Sequence, residues 1–512
     1  MIPSLGVFGQ PLPVEPDPIV RPGVDWLAVT PVIVVAGAVM VLLLIASFVR
    51  GRWVPAAYTT ITVLSGIGVI AAVVPLWREV HDEERGPFST LDGAVGVDGF
   101  SLYLTVVIAV SLVLAALLLH DYLRREALEG VEPYALLLLS ATGGIVMAHA
   151  NDLIVLFLGL ETLSISAYVM AALHRRRVTS QEAGMKYLVL GAFSSAFFLY
   201  GIAMIYGGTG TTNLVRISEL LSTSALDEDG LILAGLALLL VGFGFKVAAA
   251  PFHFWTPDVY QGSPTPVVAW MASGVKVAGF AGLLRVFVVA FETRSVDWQP
   301  IVYALAVATL VVGSFLAIVQ TDVKRMLAYS SISHAGYVLI GVQAASSDGV
   351  EGALFYLATY ALMVAGSFGI VTLVGRRGDG RHSIDDYRGL ARARPVLALS
   401  LAVLLFAQAG VPLTSGFFAK WFVISAAVEA GSIGLAVVGM LAAVVAAFLY
   451  LRIVTAMYMG EAEDVEGMRV PIPAPAAVTL ALSLGVTLVI GFWPQLLTEV
   501  TRDAVPVLSA VG

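Results

Sequence analysis

The sequence contains no cysteine. Disulfides, thiolate-held iron–sulfur clusters and a cysteine nucleophile are thereby excluded. Charge is scarce as well. Asp, Glu, Lys and Arg make up 12% of the 512 residues, against about 25% in an ordinary soluble domain. No GxxxxGK[ST] phosphate loop is present, and no GxGxxG follows a strand and opens a helix. The seven histidines form no obvious haem-ligand pair, and nothing points to a metal site. If redox chemistry accompanies this chain, its electrons run elsewhere. No basic residue precedes Arg21, so the proline-rich N-terminus lacks the n-region of a signal peptide. It reads as a short polar tail outside the first span.

What the sequence has in quantity is apolar length. Residues 59% apolar are arranged in stretches of about 20 or more along the whole chain, enough to cross a bilayer repeatedly. The expected fold is an all-α polytopic membrane protein of about 14 transmembrane helices. A tail (1–25) precedes spans 1–3 (26–132). Spans 4–8 (133–290), spans 9–13 (291–460), and span 14 with a second tail (461–512) follow. Loops after odd-numbered spans hold 16 Lys and Arg residues, and loops after even-numbered spans hold four. The positive-inside rule then puts both termini on the outer face and the loops after odd-numbered spans in the cytoplasm.

Lysine is distributed differently from arginine. The chain has five lysines, and four of them (Lys186, Lys246, Lys276 and Lys420) fall within expected spans. Arginine stays protonated in proteins, whereas burial can lower a lysine's pKa by several units, so only lysine can load and release a proton at workable pH. Glu161 is the acidic residue deep in a span, and a lone carboxylate there needs a partner or a wet cavity. The plain alternative is interhelical polar glue at about 1 kcal/mol per group. Arg285 and Arg452 lie toward span ends, where they are expected to snorkel. Lys324, beside Arg325 and Asp322, reads as a solvated stop signal.

The spacing hides a repeat. Glu161 and Lys246 are 85 residues apart, and His334 and Lys420 are 86 apart. Shifts of 173 and 174 residues carry the first pair onto the second. Both lysine spans are interrupted, one by Pro251 after Lys246, the other by Pro412 in GVPLTSG (410–416) before Lys420. Matched broken segments are the signature of transporters built from repeats. Two inverted five-helix repeats, spans 4–8 and 9–13, with helices 7 and 12 broken, are expected. A break inside a membrane frees backbone groups that need protein or water partners. A hydrated half-channel at Lys246 is therefore expected. His253, just past the break, reads as a backbone cap or a proton exchanger. His334, among serines, reads as a relay or a satisfied structural histidine.

The runs KVAAAPFHFWTPDVYQGSPTPVVAWMASGVKVAGF (246–280) and DVKRMLAYSSISHAGYVLIG (322–341) resemble the signature of the proton-translocating membrane subunits of respiratory complex I. That family is related to the multi-subunit sodium/proton antiporters. Ending after span 14, carrying Lys420 in span 12 and WTPDVYQGSPTPV with Tyr260, the chain is most similar to the family's N-type branch. The resemblance implies a proton pathway of Glu161, Lys186, Lys246, Lys276, His334 and Lys420, with Glu161 modulating Lys246 and Lys420 as terminal exchange site. It implies no cofactor in this chain. Flavin and iron–sulfur clusters would sit in partner subunits, with quinone bound elsewhere in the complex. Partners would be other membrane-arm subunits, both antiporter-like and small, and lipids, with no nucleic acid. A sodium/proton antiporter, a membrane-bound hydrogenase complex and a scaffold whose charges fix helix register remain open as alternatives.

Overall fold

The computed structural model describes residues 22–49, 51, 54–223, 229–461 and 472–506. The proline-rich tail up to residue 21 lies outside them, as do Arg469 and the last six residues. Among the described residues, eleven helices are long and apolar enough to cross a bilayer, from Trp26–Phe48 to Ala474–Phe492. The fourteen spans expected from the sequence require more. Glu132–His149 and Val323–Ala344 are long but more polar. The twelfth consists of two 15-residue helices, Pro395–Ala409 and Ser415–Glu429. Length and apolarity support eleven spans, and the chain is a helical multi-pass membrane protein.

At the centre lies the segment Thr265–Ala290, every residue of its most apolar window buried. It packs against Gly99–Glu126, Glu132–His149, Ser347–Val374 and Asp229–Val247. Its backbone is not a uniform α-helix. Wide turns at Met271–Val275 and Leu284–Ala290 flank an α-helical stretch, Lys276–Leu283. Such π-type bulges are rare and frequent at functional sites, and here one ends directly at Lys276. Val323–Ala344 is nearly as enclosed, with serines and His334 turned into the protein.

One end of the bundle carries a hairpin that hydropathy did not foretell. Phe88–Thr90 pairs antiparallel with Val95–Val97. Its turn is fastened by side-chain amides: Asn151 and Asn213 both donate to the Gly93 carbonyl, at 2.9 and 3.0 Å. The hairpin leads into Asp98, which caps the Gly99–Glu126 helix in a capping box with Ser101.

Asp98 also corrects the reading of Arg285. Instead of snorkelling, Arg285 is buried and grips Asp98 with two parallel hydrogen bonds of 2.9 and 2.8 Å. It donates a third to the Ala148 carbonyl at 3.2 Å. The carboxylate and the guanidinium each exist in the interior only because of the other. Arg452 does not reach for solvent either. It donates to the carbonyls of Ile318 and Gln320, closing the end of the Ser295–Ile318 helix. Arg285→Ala should destabilise the protein by about 3–5 kcal/mol, because Asp98 would be left charged and unpaired. Thermal unfolding in detergent should show most of that loss recovered by the paired Asp98→Asn and Arg285→Met replacement, in which Asn still caps the helix.

Candidate functional site: a buried line of basic side chains

The helix carrying Lys246, Asp229–Val247, stops before its proline. Ala248 adopts the left-handed conformation at φ 63°. Its N–H bonds to the Phe245 carbonyl at 3.1 Å, while Ala249 N–H reaches Gly244 at 2.8 Å. This is a Schellman ending. The second break repeats it. Gly410 sits at φ 91°, bonding Ala407 at 2.9 Å, and Val411 N–H reaches Phe406 at 3.0 Å. The freed groups at the first break find protein partners: Trp255 donates its indole N–H to Phe245 at 3.0 Å, and Thr309 accepts from Ala250 N–H at 2.9 Å. The expected need for water at these backbone groups is therefore met by the protein. Pro251 and Pro412 both lie in the breaks, exposed.

Lys246 is buried, and its Nζ donates to Ser164 Oγ at 2.7 Å. Ser164 stands one turn beyond Glu161 on the Leu153–Ala171 helix. Glu161 is half-buried and accepts from Ser195. Among the described residues no direct ion pair joins Glu161 to Lys246. Glu161 and the Ser164 that receives Lys246 share one helix, three residues apart. His253 is buried beside the break, its ring against Phe254.

Lys276 projects toward Val323–Ala344. Its Nζ donates to both the carbonyl and the hydroxyl of Ser331, each at 2.6 Å, and lies 5.7 Å from the centre of the Tyr360 ring. Three residues on, His334 is held at both nitrogens. Nδ1 meets the Tyr356 hydroxyl at 2.6 Å and Nε2 the Tyr450 hydroxyl at 3.1 Å. Lys420, buried in Ser415–Glu429, donates to the Ala409 carbonyl at 2.8 Å and lies 4.8 Å over the Tyr337 ring. Ala409 is the last residue of the preceding half-helix, so the break supplies the oxygen that receives this cation. The lysines stand on opposite sides of their breaks. In the second break the position two residues before the left-handed turn is held by Gln408, which donates to Ser367 at 2.7 Å.

Lys186 does not join this line. Its side chain is 41% exposed and bridges Glu182 at 2.8 Å and Asp258 at 2.7 Å. Asp258 also receives Arg325 at 2.6 Å. Lys324 reverses its expected role. It is fully buried, donating to the Ser263 carbonyl at 2.6 Å and lying 3.6 Å from Asp379. Asp379 comes from the arginine-rich loop after Ser347–Val374 and folds back into the protein. It accepts from Thr265 Oγ1 (2.7 Å) and Arg177 (3.2 Å), with His382 at 2.9 Å. The solvated stop signal is in fact the core of a buried ion cluster.

With this geometry in view, comparison with known proteins gives a consistent answer. Residues 150–446 match the family described as NADH:quinone oxidoreductase/Mrp antiporter, TM. The chain belongs to this family. It is 42% identical over 420 residues to the NADH-quinone oxidoreductase subunit N of Trichlorobacter lovleyi, covering 82% of this chain and 86% of that one. Its fold matches a chain of respiratory complex I from Thermus thermophilus with a TM-score of 0.76, at 32% identity over 92% of this chain and 98% of that one. It also matches a chain of the Mrp complex from Dietzia sp. with a TM-score of 0.79, covering 94% and 97%, but at 23% identity, where the likeness is one of fold alone.

In this family member several polar residues escaped the sequence reading: Asp98, Asp379, Tyr356 and Tyr450. Asp98 and Asp379 sit in loops, and tyrosines in apolar helices read as core. The signal available was spacing, since Tyr356 and Tyr360 lie one helical turn apart on one face. Asp379 has a pH signature. Burial pushes its carboxyl up, but the Lys324 charge and hydrogen bonds from His382 and Thr265 outweigh this and hold it well below the usual carboxylate range. A lowered pKa contributes stability that is present above the unfolded value, about pH 4, and lost as pH falls through the folded one. Thermal transitions recorded from neutral to acid pH should show this step below about pH 4 in the wild type. Asp379→Asn should lack it and be less stable at neutral pH by about 3–5 kcal/mol.

Proposed function

We propose that this chain is a proton-translocating membrane-arm subunit of an NADH–quinone oxidoreductase, with the Glu161, Lys246, Lys276, His334 and Lys420 side chains as its proton line. The observation that carries this reading is the run of buried basic groups, each held by an oxygen of the protein or by tyrosine hydroxyls. A buried cation held by neutral oxygens is poised to change partner or protonation when a nearby charge moves. In a low-dielectric interior, moving a charge by a few ångströms changes such an energy by several kcal/mol. Glu161 is the group whose displacement or neutralisation would release the proton of Lys246 inward, toward Lys420. The relatives' name supplies the enzyme.

On this reading the chain holds no redox centre and no cofactor. NADH oxidation, flavin, iron–sulfur clusters and quinone belong to other subunits, and energy arrives through the membrane arm as a conformational or electrostatic change. Residues 133–290 and 291–460 act as two inverted units, each with one broken helix. The arginine-rich face is cytoplasmic, both termini are outside, and the membrane is the bacterial plasma membrane. Lys186, exposed and ion-paired with Asp258, takes its part at the surface of this route, beside a polar cavity of about 290 Å³ that Arg177, Gln261 and His382 also line. Sodium/proton antiport is the second reading, because the family description spans both systems.

Inverted membrane vesicles carrying the assembled complex test this. With Lys246→Ala, NADH-driven acidification and NADH–quinone turnover should fall together by roughly tenfold or more, the scale on which a lost proton carrier acts. Glu161→Gln should weaken pumping less. Wild-type rates in Lys246→Ala would make that lysine structural. Vesicles that exchange Na⁺ for H⁺ with no NADH-linked signal would favour the antiporter reading.

A further inference from the structure

Between Lys276 and Lys420 the interior is furnished with tyrosines. Tyr356 and Tyr450 hold the two nitrogens of His334, and the Tyr450 hydroxyl continues to Ser330 Oγ at 2.6 Å. A hydrogen-bonded chain Ser330–Tyr450–His334–Tyr356 results, all four side chains buried. One end adjoins Ser331, which receives Lys276. At the other end the Tyr356 ring stacks on Tyr337, centroids 6.0 Å apart, and Lys420 lies over the far member of that pair. Tyr360 flanks the row, its ring 4.6 Å from His334 and its hydroxyl buried beside Ser331 without an aligned hydrogen bond of its own.

We propose that Tyr356 and Tyr450 are relay residues, carrying the proton between Lys276 and Lys420 through their hydroxyls by exchange of the His334 tautomer. The inference rests on the proton-translocating reading above. Neutral imidazole has one N–H and one bare nitrogen, and each here faces a hydroxyl that can both donate and accept. The step balances. The Tyr450 hydroxyl gives its proton to Nε2 and is refilled from Ser330 Oγ, its hydrogen-bonded neighbour, which is next in the chain to the Ser331 that receives Lys276. Nδ1 gives its proton to the Tyr356 oxygen, whose own proton leaves toward Lys420. Over the step Lys276 gives up its proton and becomes a neutral amine, a neutral Lys420 amine becomes an ammonium, and Ser330, Tyr450, His334 and Tyr356 each end as neutral as they began; rotation of the hydroxyls with return of the tautomer resets the chain. A purely structural histidine needs a donor partner and an acceptor partner. Two partners that can each reverse roles, at either nitrogen, are what conduction requires.

Tyr356→Phe and Tyr450→Phe, singly, remove one oxygen while keeping each ring. Both are to be made in the full chain and studied as the assembled complex in inverted vesicles, with NADH oxidation by a soluble acceptor verifying the peripheral part. Tyr134→Phe, which removes a buried hydroxyl bonded to Thr59 at 2.8 Å outside this line, is the control and should behave as wild type. The expected result is a fall of about tenfold in NADH–quinone turnover and acidification together. It should come with a larger ratio of rates in H₂O and D₂O, because the interrupted transfer becomes rate-limiting. Wild-type rates in both variants, or lost rates with an unchanged isotope ratio, overturn the relay. Vesicles of the wild type with no NADH-linked acidification defeat the underlying reading, and the relay with it. Wild-type pumping lost in Lys246→Ala but kept in both tyrosine variants defeats the relay alone.

Discussion

A cation removed from water has to be solvated by the protein, and the arrangement of this molecule follows from that constraint. The four buried lysines each terminate on oxygen: Lys246 on Ser164, Lys276 on Ser331, Lys324 on Ser263 and Lys420 on Ala409. Arg285 takes both oxygens of Asp98. Serine hydroxyls and helix-end carbonyls are weaker partners than carboxylates. Groups held by them sit in shallower wells, whereas the Arg285 pair is locked by two charge-assisted bonds. The molecule thus holds two kinds of buried charge. Those at the loops, around Asp98 and Asp379, are paired with opposite charge and fasten the structure. Those along the interior line are paired with neutral oxygen, and remain free to respond to a change nearby.

The broken helices serve this division. Both end in the same left-handed turn, at Ala248 and at Gly410, and both close most of their own backbone groups. What each offers to a side chain is specific: in the first the Phe245 carbonyl, which accepts from both Ala248 N–H and the Trp255 indole, and in the second the Ala409 carbonyl taken by Lys420. The break thereby acts as a source of placed carbonyl oxygen, with the dipole of the half-helix favouring the cation it receives. The proline in each motif keeps the helix from resuming. It does not itself create the partner.

Much of this was legible in the sequence. Hydropathy marked the spans because it depends on the composition of each local segment. The lysines stood out because four of the five fall within expected spans, while the arginines gather in the loops. The broken motifs and their resemblance to known proteins followed from contiguous residues. Other features were misread for a common reason. Lys324 looked solvated because it lies next to Arg325 and Asp322, but its true neighbours, Ser263 and Asp379, lie 61 and 55 residues away. Arg285 looked free to snorkel, while Asp98 lies 187 residues off. Lys186 lies on the Val178–Thr209 helix, and its partner Asp258 lies 72 residues away.

By itself, then, the sequence determined that the chain crosses the membrane many times, that two spans break beside a lysine, and which family it joins. These are properties of local composition and of contiguous motifs, and they need no knowledge of what packs against what. Only the tertiary structure decided which charges share a partner: the Ser164 contact of Lys246, the buried cluster at Asp379, and the two tyrosines that hold His334 from helices far apart in the chain. A hydrogen bond requires atoms within about 3 Å, and whether two residues separated by a hundred others meet at that distance is fixed by how the helices pack, not by any segment read alone.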